Sequence, residues 1–346
     1  MRILVTGGAG FIGSHFARSL LAGRYVGFEH CDVTVIDKLT YASDRANLPA
    51  THPRLTFIRG DICDRQLLAD VVPGHDAVVH FAAESHVDRS IDDPAPFFET
   101  NVMGSHHLLA ACAGGGVGRV VHVSTDEVYG SISEGSWTES CVLEPNSPYA
   151  ASKAASDHVV RSYWRTYDVD VSITRCANNY GPYQNVEKVI PRFVTSLLSG
   201  QDITLHGDGG AVREWLHVDD HCRAIALVLA KGRAGEVYNI GGDVELTNRA
   251  LTERILRLAG AGWERVRHVP DRKVQDQRYS LDYRKISEEL GFEPQIRFED
   301  GLTEVFHWYR ENRAWWAPTI AEPRGEALTS AVRGVPASRA LSVQAH

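Results

Sequence analysis

Cysteine occurs as six isolated residues, Cys31, Cys63, Cys112, Cys141, Cys176 and Cys222. None forms a C-x-x-C pair and none stands at a paired Cys/His spacing, which argues against both a structural zinc and a disulfide framework. No metal site is expected. Positive charge is also short: 36 Lys+Arg against 44 Asp+Glu leave a formal net charge of −8. That balance argues against a nucleic-acid binder, although a local basic pocket for a phosphorylated small molecule would survive it. No apolar run approaches membrane-spanning length, and a strand-like segment begins within two residues of Met1, so neither an anchor nor a signal peptide is expected. These absences, with thiols that suit a reducing compartment, predict a cytoplasmic protein. There is no internal repeat.

What is present is a core and a rhythm. The 346 residues are 43% hydrophobic, enough for one large domain or two. Short runs rich in Val and Ile recur at residues 3–6, 33–36, 55–58, 77–81, 120–123 and 171–174, separated by segments of helical length. Continuous apolar strands alternating with helices imply an α/β fold, a Rossmann-like doubly wound parallel sheet covered on both faces. After about Asn178 the segments lengthen around Pro182, Pro191, "GDGG" at 207–210, Gly241-Gly242 and "DRKVQDQRY" at 271–279, which suits a smaller C-terminal substrate-binding domain. The aromatic run "HWYRENRAWW" at 307–316 reads as a terminal helix packing on that lobe. Residues 322–346 are rich in small side chains and aperiodic, the pattern of a disordered tail.

"ILVTGGAGFIG" sets Gly7, Gly10 and Gly13 between the first strand and a helix. Glycines there allow a tight turn and close approach of backbone to a pyrophosphate, which then meets the free N–H groups of the helix start. The second strand, "VTVID", ends in Asp37, an acid able to bind an adenosine ribose 2′-hydroxyl and repel a 2′-phosphate. NAD is therefore expected over NADP, with Lys38 beside the acid as the one residue that could accept a phosphate. "GDI" at 60–62 and "FAAES" at 81–85 end the third and fourth strands on the same carboxyl edge. Taken alone, Asp61 is equally well a plain turn residue.

"NSPYAASKAASD" at 146–157 places Pro148 at a helix start and Tyr149 and Lys153 four apart, on one face. A free tyrosine titrates near pH 10, so it serves as a base at neutral pH only when positive charge stabilises its phenolate; a lysine one turn away, with an oxidised nicotinamide, supplies that charge. Without the glycine loop the pair would read as an exposed helical couple. Ser124 and Thr125, ending the preceding strand, can donate to the same substrate oxygen, and Asp126 and Glu127 follow in "STDEVYG". Those two acids are, on their own, as much a helix cap or a surface pair as a site.

Together these motifs resemble the extended short-chain dehydrogenases/reductases, and within them the nucleotide-sugar 4,6-dehydratases. The likeness covers roughly residues 1–316 and rests on "TGGAGFIGSH", "DKLTYA", "AAESHVDRSI", "ETNVMG", "STDEVYG", "SPYAASKA", "NNYGPYQ", "EKVIP", "REWLHVDDH", "YNIGG" and "DRK". It implies an NAD-dependent lyase that converts dTDP-glucose to dTDP-4-keto-6-deoxyglucose by oxidation at C4, loss of water across C5–C6 and return of hydride to C6. Catalysis would use Thr125, Tyr149 and Lys153, with Asp126 as acid and Glu127 as base. For the cofactor it implies Gly7, Gly10, Phe11, Ile12 and Gly13, then Asp37, Lys38, Leu39 and Thr40, then Asp61 and Ile62. Phe81, Ala82, Ala83 and Ser85, with Thr100 and Asn179, complete that set alongside Tyr149 and Lys153. The sugar would meet Ser85, Thr125, Glu127 and Tyr149, and the nucleotide side Asn178, Lys188, Val189, Arg213 and Asn248. Thr204, Leu205, His206, Asp271, Arg272, Gln275 and Tyr279 round off the substrate site.

The resemblance also implies a homodimer through the helices starting near Pro96 and Tyr149. It divides the chain into a mainly NAD-binding part, 1–177, and a mainly nucleotide-sugar-binding part, 178–321, with some elements interleaved. The pattern is broken at Val274-Gln275, where Gly-His is usual, at Ala211, where an amide is usual, and at Ser43-Asp44, where Gly-Asn is usual. These departures bear on nucleotide preference rather than on catalysis. His221 and the other histidines read as surface or core residues. Two alternatives share parts of the pattern: an epimerase or decarboxylase would use Tyr149 and Lys153 but not the acid pair, and a non-catalytic NAD sensor would need neither.

Overall fold

The computed structural model describes residues 1–242, 244–271 and 276–321. Six parallel strands, β1 (Arg2–Thr6), β2 (Asp32–Asp37), β3 (Leu55–Arg59), β4 (Ala77–His80), β5 (Arg119–Thr125) and β6 (Val171–Cys176), coincide with the six apolar runs of the sequence. A seventh, Val237–Ile240, joins them from much later in the chain, giving the order Val237–Ile240, β6, β5, β4, β1, β2, β3. Every neighbouring pair is parallel. The chain starts mid-sheet, winds outward through β2 and β3, then returns to build the other half from β4. Such a reversal between β1 and β4 opens a crevice at the carboxyl ends of the strands, where ligands settle in sheets of this kind.

Ile3, Leu4 and Val5 are fully buried, as a strand covered on both faces requires. Helices Phe11–Leu21 and Val218–Lys231 share one core with Ile3 and Val5, and Ile286, Leu290 and Phe292 join it, so late segments of the chain also cover the first sheet; Leu4 belongs to the core on the other face. A second core forms around Phe193, Trp215, Leu251, Val305 and Trp316. It sits with a three-stranded sheet, Val244–Thr247, Val212–His217 and Asn178–Tyr180, and a two-stranded one, Ile203–His206 with Val266–Val269.

The aromatic run at 307–316 is not a single helix. Phe298–Glu311 ends at Asn312 and a separate helix, Arg313–Ala321, follows. Trp316 is buried in the second core as expected, but the indole Nε1 of Trp315 donates to Asn47 Oδ1 (2.9 Å), on the first sheet's side of the molecule. Among the described residues no helix is long and apolar enough to cross a membrane. The expected disordered tail, 322–346, lies outside the described residues.

Candidate active site

The glycine loop is bare backbone for steric reasons. Gly7 has φ 68° and donates its N–H to Ile36 O (2.8 Å). A Cβ at Gly7 would stand 2.6 Å from Ala82 N, and one at Gly13 would stand 2.4 Å from Gly7 O. Neither position tolerates a side chain without the turn moving. At the end of β2 the buried Asp37 carboxylate accepts from Ala9 N–H (2.9 Å), Leu39 N–H (2.8 Å) and the Ser43 hydroxyl (2.8 Å). Ser43, one of the departures, therefore serves to hold the acid in place. Its neighbour Asp44, another departure, caps the short turn at Arg45–Asn47 and donates its own N–H to Ala9 O (3.1 Å).

Lys38 is engaged by Asp61 at 2.6 Å, so the cation that could have received a 2′-phosphate is already paired. Asp61 also accepts from Cys63 N–H (2.9 Å), which makes it both a turn residue and a wall of the site. All the cofactor residues expected from the sequence line one cavity, except Leu39. Leu39, at φ 59°, packs against the first core instead. Bare glycines at a helix start, an oriented acid and a neighbouring Lys38 already paired with Asp61 fit an NAD-sized dinucleotide.

The same cavity holds Thr125, Asp126, Glu127, Tyr149 and Lys153. Ser147 caps the Pro148–Tyr167 helix through Ala150 N–H (3.1 Å) with Pro148 in its first turn, which fixes where Tyr149 and Lys153 project. Lys153 Nζ donates to Val123 O (2.7 Å) on β5, tying the helix to the strand that carries the acids. Burial lowers Lys153 to about 8, with Asp157 and Cys176 opposing the drop. Burial pushes the Tyr149 phenol well above its usual range, reinforced by Glu127 and partly offset by a hydrogen bond with Thr125.

The Thr125 hydroxyl donates to Asp126 Oδ1 (3.2 Å) and accepts from Glu127 N–H (3.3 Å), turning the chain sharply after β5. Asp126 is 2% exposed and Glu127 is half-buried, so the adjacent acids occupy different environments. Burial first, then the charges of Glu127 and Glu214, pushes Asp126 well above the carboxylate range. Burial thereby favours the neutral form of one acid beside a more accessible one, the kind of asymmetry that acid–base chemistry uses. Ser124 Oγ is buried without a partner among the described residues and faces the same cavity.

A second cavity opens beside the first and takes in Asn178, Lys188, Val189, Thr204, Leu205, His206, Arg213, Asn248 and Tyr279. Arg213 donates to Asp276 O (3.0 Å) and stacks over the Tyr279 ring at 4.5 Å. Lys188 Nζ donates to Ser85 O (2.9 Å), bridging the two cavities. Asp271 lines neither cavity and stands beside Gly207. Arg272, Gln275 and the Val274 departure lie outside the described residues.

Sequence reasoning missed four residues. Glu214, beside Arg213, is buried and bridges Gly242 N–H (2.6 Å) and Leu281 N–H (2.7 Å); burial raises it to about 7 against those two bonds. His221, read from sequence as a surface or core residue, is fully buried and its Nδ1 bonds Asn179 Oδ1 (2.9 Å), orienting a cavity residue. Arg192, in the first turn of the Val189–Leu198 helix, adds a third cation to the second cavity. Glu187 lines both cavities. "EKVIP" and "REWLHVDDH" contained all of these but Arg192, without a spacing that singled them out.

The family model described as GDP-mannose 4,6 dehydratase matches residues 4–305. The chain belongs to this family of nucleotide-sugar 4,6-dehydratases. Among curated members, the dTDP-glucose 4,6-dehydratase of Streptomyces niveus is 58% identical over 320 residues, 92% of this chain and 95% of that one. Among solved structures, the dTDP-glucose 4,6-dehydratase of Streptomyces venezuelae with NAD and TYD bound is 64% identical, with a TM-score of 0.91 over 92% of this chain and 99% of that one. UDP-glucose 4-epimerase of Thermotoga maritima with UDP-glucose shares the 4,6-dehydratase fold more distantly, at 32% identity and a TM-score of 0.84 over 90% of this chain and 100% of that one. The fold alone thus does not separate dehydratase from epimerase; the acids after β5 must.

Proposed function

We propose that this chain is an NAD-dependent dTDP-glucose 4,6-dehydratase, a hydro-lyase that yields dTDP-4-keto-6-deoxyglucose. One observation carries the reading: a buried Asp126, its carboxyl pushed toward the neutral form by burial, and a half-buried Glu127 share a cavity with Tyr149 and Lys153. An epimerase needs only the last two. The likeness to dTDP-glucose dehydratases over nine-tenths of the chain supports the same substrate.

NAD, when bound along the carboxyl edge of the sheet, accepts hydride from C4 of the sugar and later gives it back at C6, so none is consumed. Tyr149 removes the C4 hydroxyl proton, with Lys153 supplying the positive charge its phenolate needs and Thr125 holding the oxygen. The resulting ketone acidifies C5. Glu127 then takes the C5 proton while Asp126 protonates the departing C6 hydroxyl, releasing water. The proton held on Glu127 returns to C5 as C6 is reduced, and the proton taken by Tyr149 balances the one lost from Asp126. Asn178, Lys188, Arg213 and Asn248 hold the nucleotide diphosphate in the second cavity, where cations are natural partners for phosphate.

Two copies associate through the helical stretch from Val87 to Gly115 and the Pro148–Tyr167 helix. Ile91, Phe98 and Met103 are exposed large apolar side chains on that stretch, which supports an interface there. A cytoplasmic location suits six unpaired thiols.

Incubation with dTDP-glucose and a trace of NAD tests the reaction. The expected product is the 4-keto-6-deoxy sugar; full recovery of substrate, or formation of its C4 epimer alone, would contradict the assignment.

A further inference from the structure

Among the described residues four line both cavities: Glu127, Asn178, Glu187 and Lys188. On the dehydratase reading the hexose ring must lie at this junction, because its C4 hydroxyl reaches Tyr149 in the first cavity while its diphosphate reaches Arg213 in the second. Three of the four already have tasks there. Glu187 has none.

Glu187 is held firmly on one side only. Its N–H donates to Asn185 Oδ1 (3.0 Å), and its Oε2 lies 3.4 Å from Arg89 Nε and 3.9 Å from His86 Nε2. Its other oxygen, Oε1, is buried without a hydrogen-bond partner among the described residues. A buried acceptor left unmet is costly, and buried polar atoms in native proteins almost always find a partner. The partner here can come from the ligand.

Sugar chemistry says which part of the ligand. In a pyranose ring C2 lies across from C5, and C3 lies across from the ring oxygen. With the C5–C6 edge against Asp126 and Glu127, the C2–C3 edge faces away from the catalytic acids. The hydroxyls on that edge take no part in the reaction, yet they must be satisfied once the ring is enclosed. We propose that Glu187 Oε1 accepts a hydrogen bond from the C2 or C3 hydroxyl of the hexose, making Glu187 a positioning residue that reads the sugar rather than the nucleotide. Arg89 and His86 orient the carboxylate by its other oxygen. Burial raises the Glu187 carboxyl above its usual range against the pull of Lys188 and Arg89, so a donated hydroxyl would favour its ionised form.

The inference rests on the dehydratase reading, and its test keeps the two apart. The holoenzyme and its Glu187→Ala and Glu187→Gln variants are assayed for kcat/KM on dTDP-glucose and on its 2-deoxy and 3-deoxy analogues. A site built to receive a hydroxyl rejects the analogue lacking it, so the unmodified enzyme should discriminate against one analogue by at least about tenfold. Glu187→Ala should lose a similar factor on dTDP-glucose and lose little more on that analogue. Glu187→Gln, which keeps an acceptor oxygen, should recover part of the preference. An alanine variant that discriminates as the unmodified enzyme does would overturn the assignment, as would an unmodified enzyme that converts both deoxy analogues as well as the parent; the latter decides the matter even if the alanine variant does not fold. Failure of the unmodified enzyme on dTDP-glucose would instead remove the reaction on which the inference stands.

Discussion

Asp126 owes its raised pKa first to burial and only second to the charge on Glu127. Adjacency in "STDE" was legible and pointed to repulsion, but the depth of β5 within the sheet, which supplies the larger effect, is a property of packing that spacing does not report. The shift has a consequence for stability. Below the unfolded-state value near pH 4, Asp126 is neutral in both states; as pH rises, the unfolded chain ionises freely and the folded one does not. The stability this group contributes at low pH is therefore lost, by up to about 1.4 kcal/mol per pH unit, until the folded pKa is reached. Asp126→Asn, of the same shape and unable to ionise, should melt higher than the unmodified protein at pH 7 and converge with it toward pH 4, while losing dehydration; thermal melts across that range would show the opposite trend if the acid were stabilised as a carboxylate. Glu127→Gln should still oxidise C4 and accumulate reduced cofactor absorbance without eliminating water. Normal turnover in that variant would remove Glu127 from the role of base.

At the scale of elements, the Pro148–Tyr167 helix was readable because its cap, its first-turn proline and its Tyr/Lys spacing are all local signals. Ser147→Ala should cost about 1 kcal/mol through the lost cap, measurable by denaturant titration, and lower activity only as far as Tyr149 shifts. The terminal aromatic run packs on the substrate lobe as expected, through Trp308, Trp315 and Trp316, but its apolar content shows neither the break at Asn312 nor the polar partner of Trp315. Trp315 packs against the second core and also bonds Asn47, whose Nδ2 donates to Ala9 O (2.8 Å) in the glycine loop. A helix near the end of the described chain thus braces the cofactor loop. Trp315→Phe, which keeps an aromatic ring but drops the N–H and part of the indole's contact area, should weaken NAD retention by about fivefold, the worth of one hydrogen bond, and leave the KM for the sugar unchanged. Equal NAD affinity in the two proteins, by titration of stripped enzyme, would mean that the brace does not reach the cofactor.

Over the whole molecule, six strands were visible as Val- and Ile-rich runs, whereas the seventh, Val237–Ile240, was hidden in a segment whose surroundings are irregular. Its pairing with β6 depends on contacts across more than sixty residues, which no local pattern encodes. The second cavity was legible only through its resemblance to known motifs, because Lys188, Arg213 and Asn248 are far apart in sequence and meet only when the second core forms. Association of copies also belongs to this scale: the protein should sediment as a dimer, and Met103→Glu, which puts a charge on the exposed apolar stretch, should shift it toward monomer. Unchanged sedimentation would place the interface elsewhere. The central claim is that one cavity oxidises C4, eliminates water across C5–C6 and returns the same hydride to C6. It is tested most directly by turning over dTDP-glucose carrying deuterium at C4 and locating the label by NMR. The account predicts deuterium in the C6 methyl group of a 4-keto-6-deoxy product, with no net reduction of cofactor; a product methyl free of deuterium, or label retained at C4 of an epimer, would contradict it.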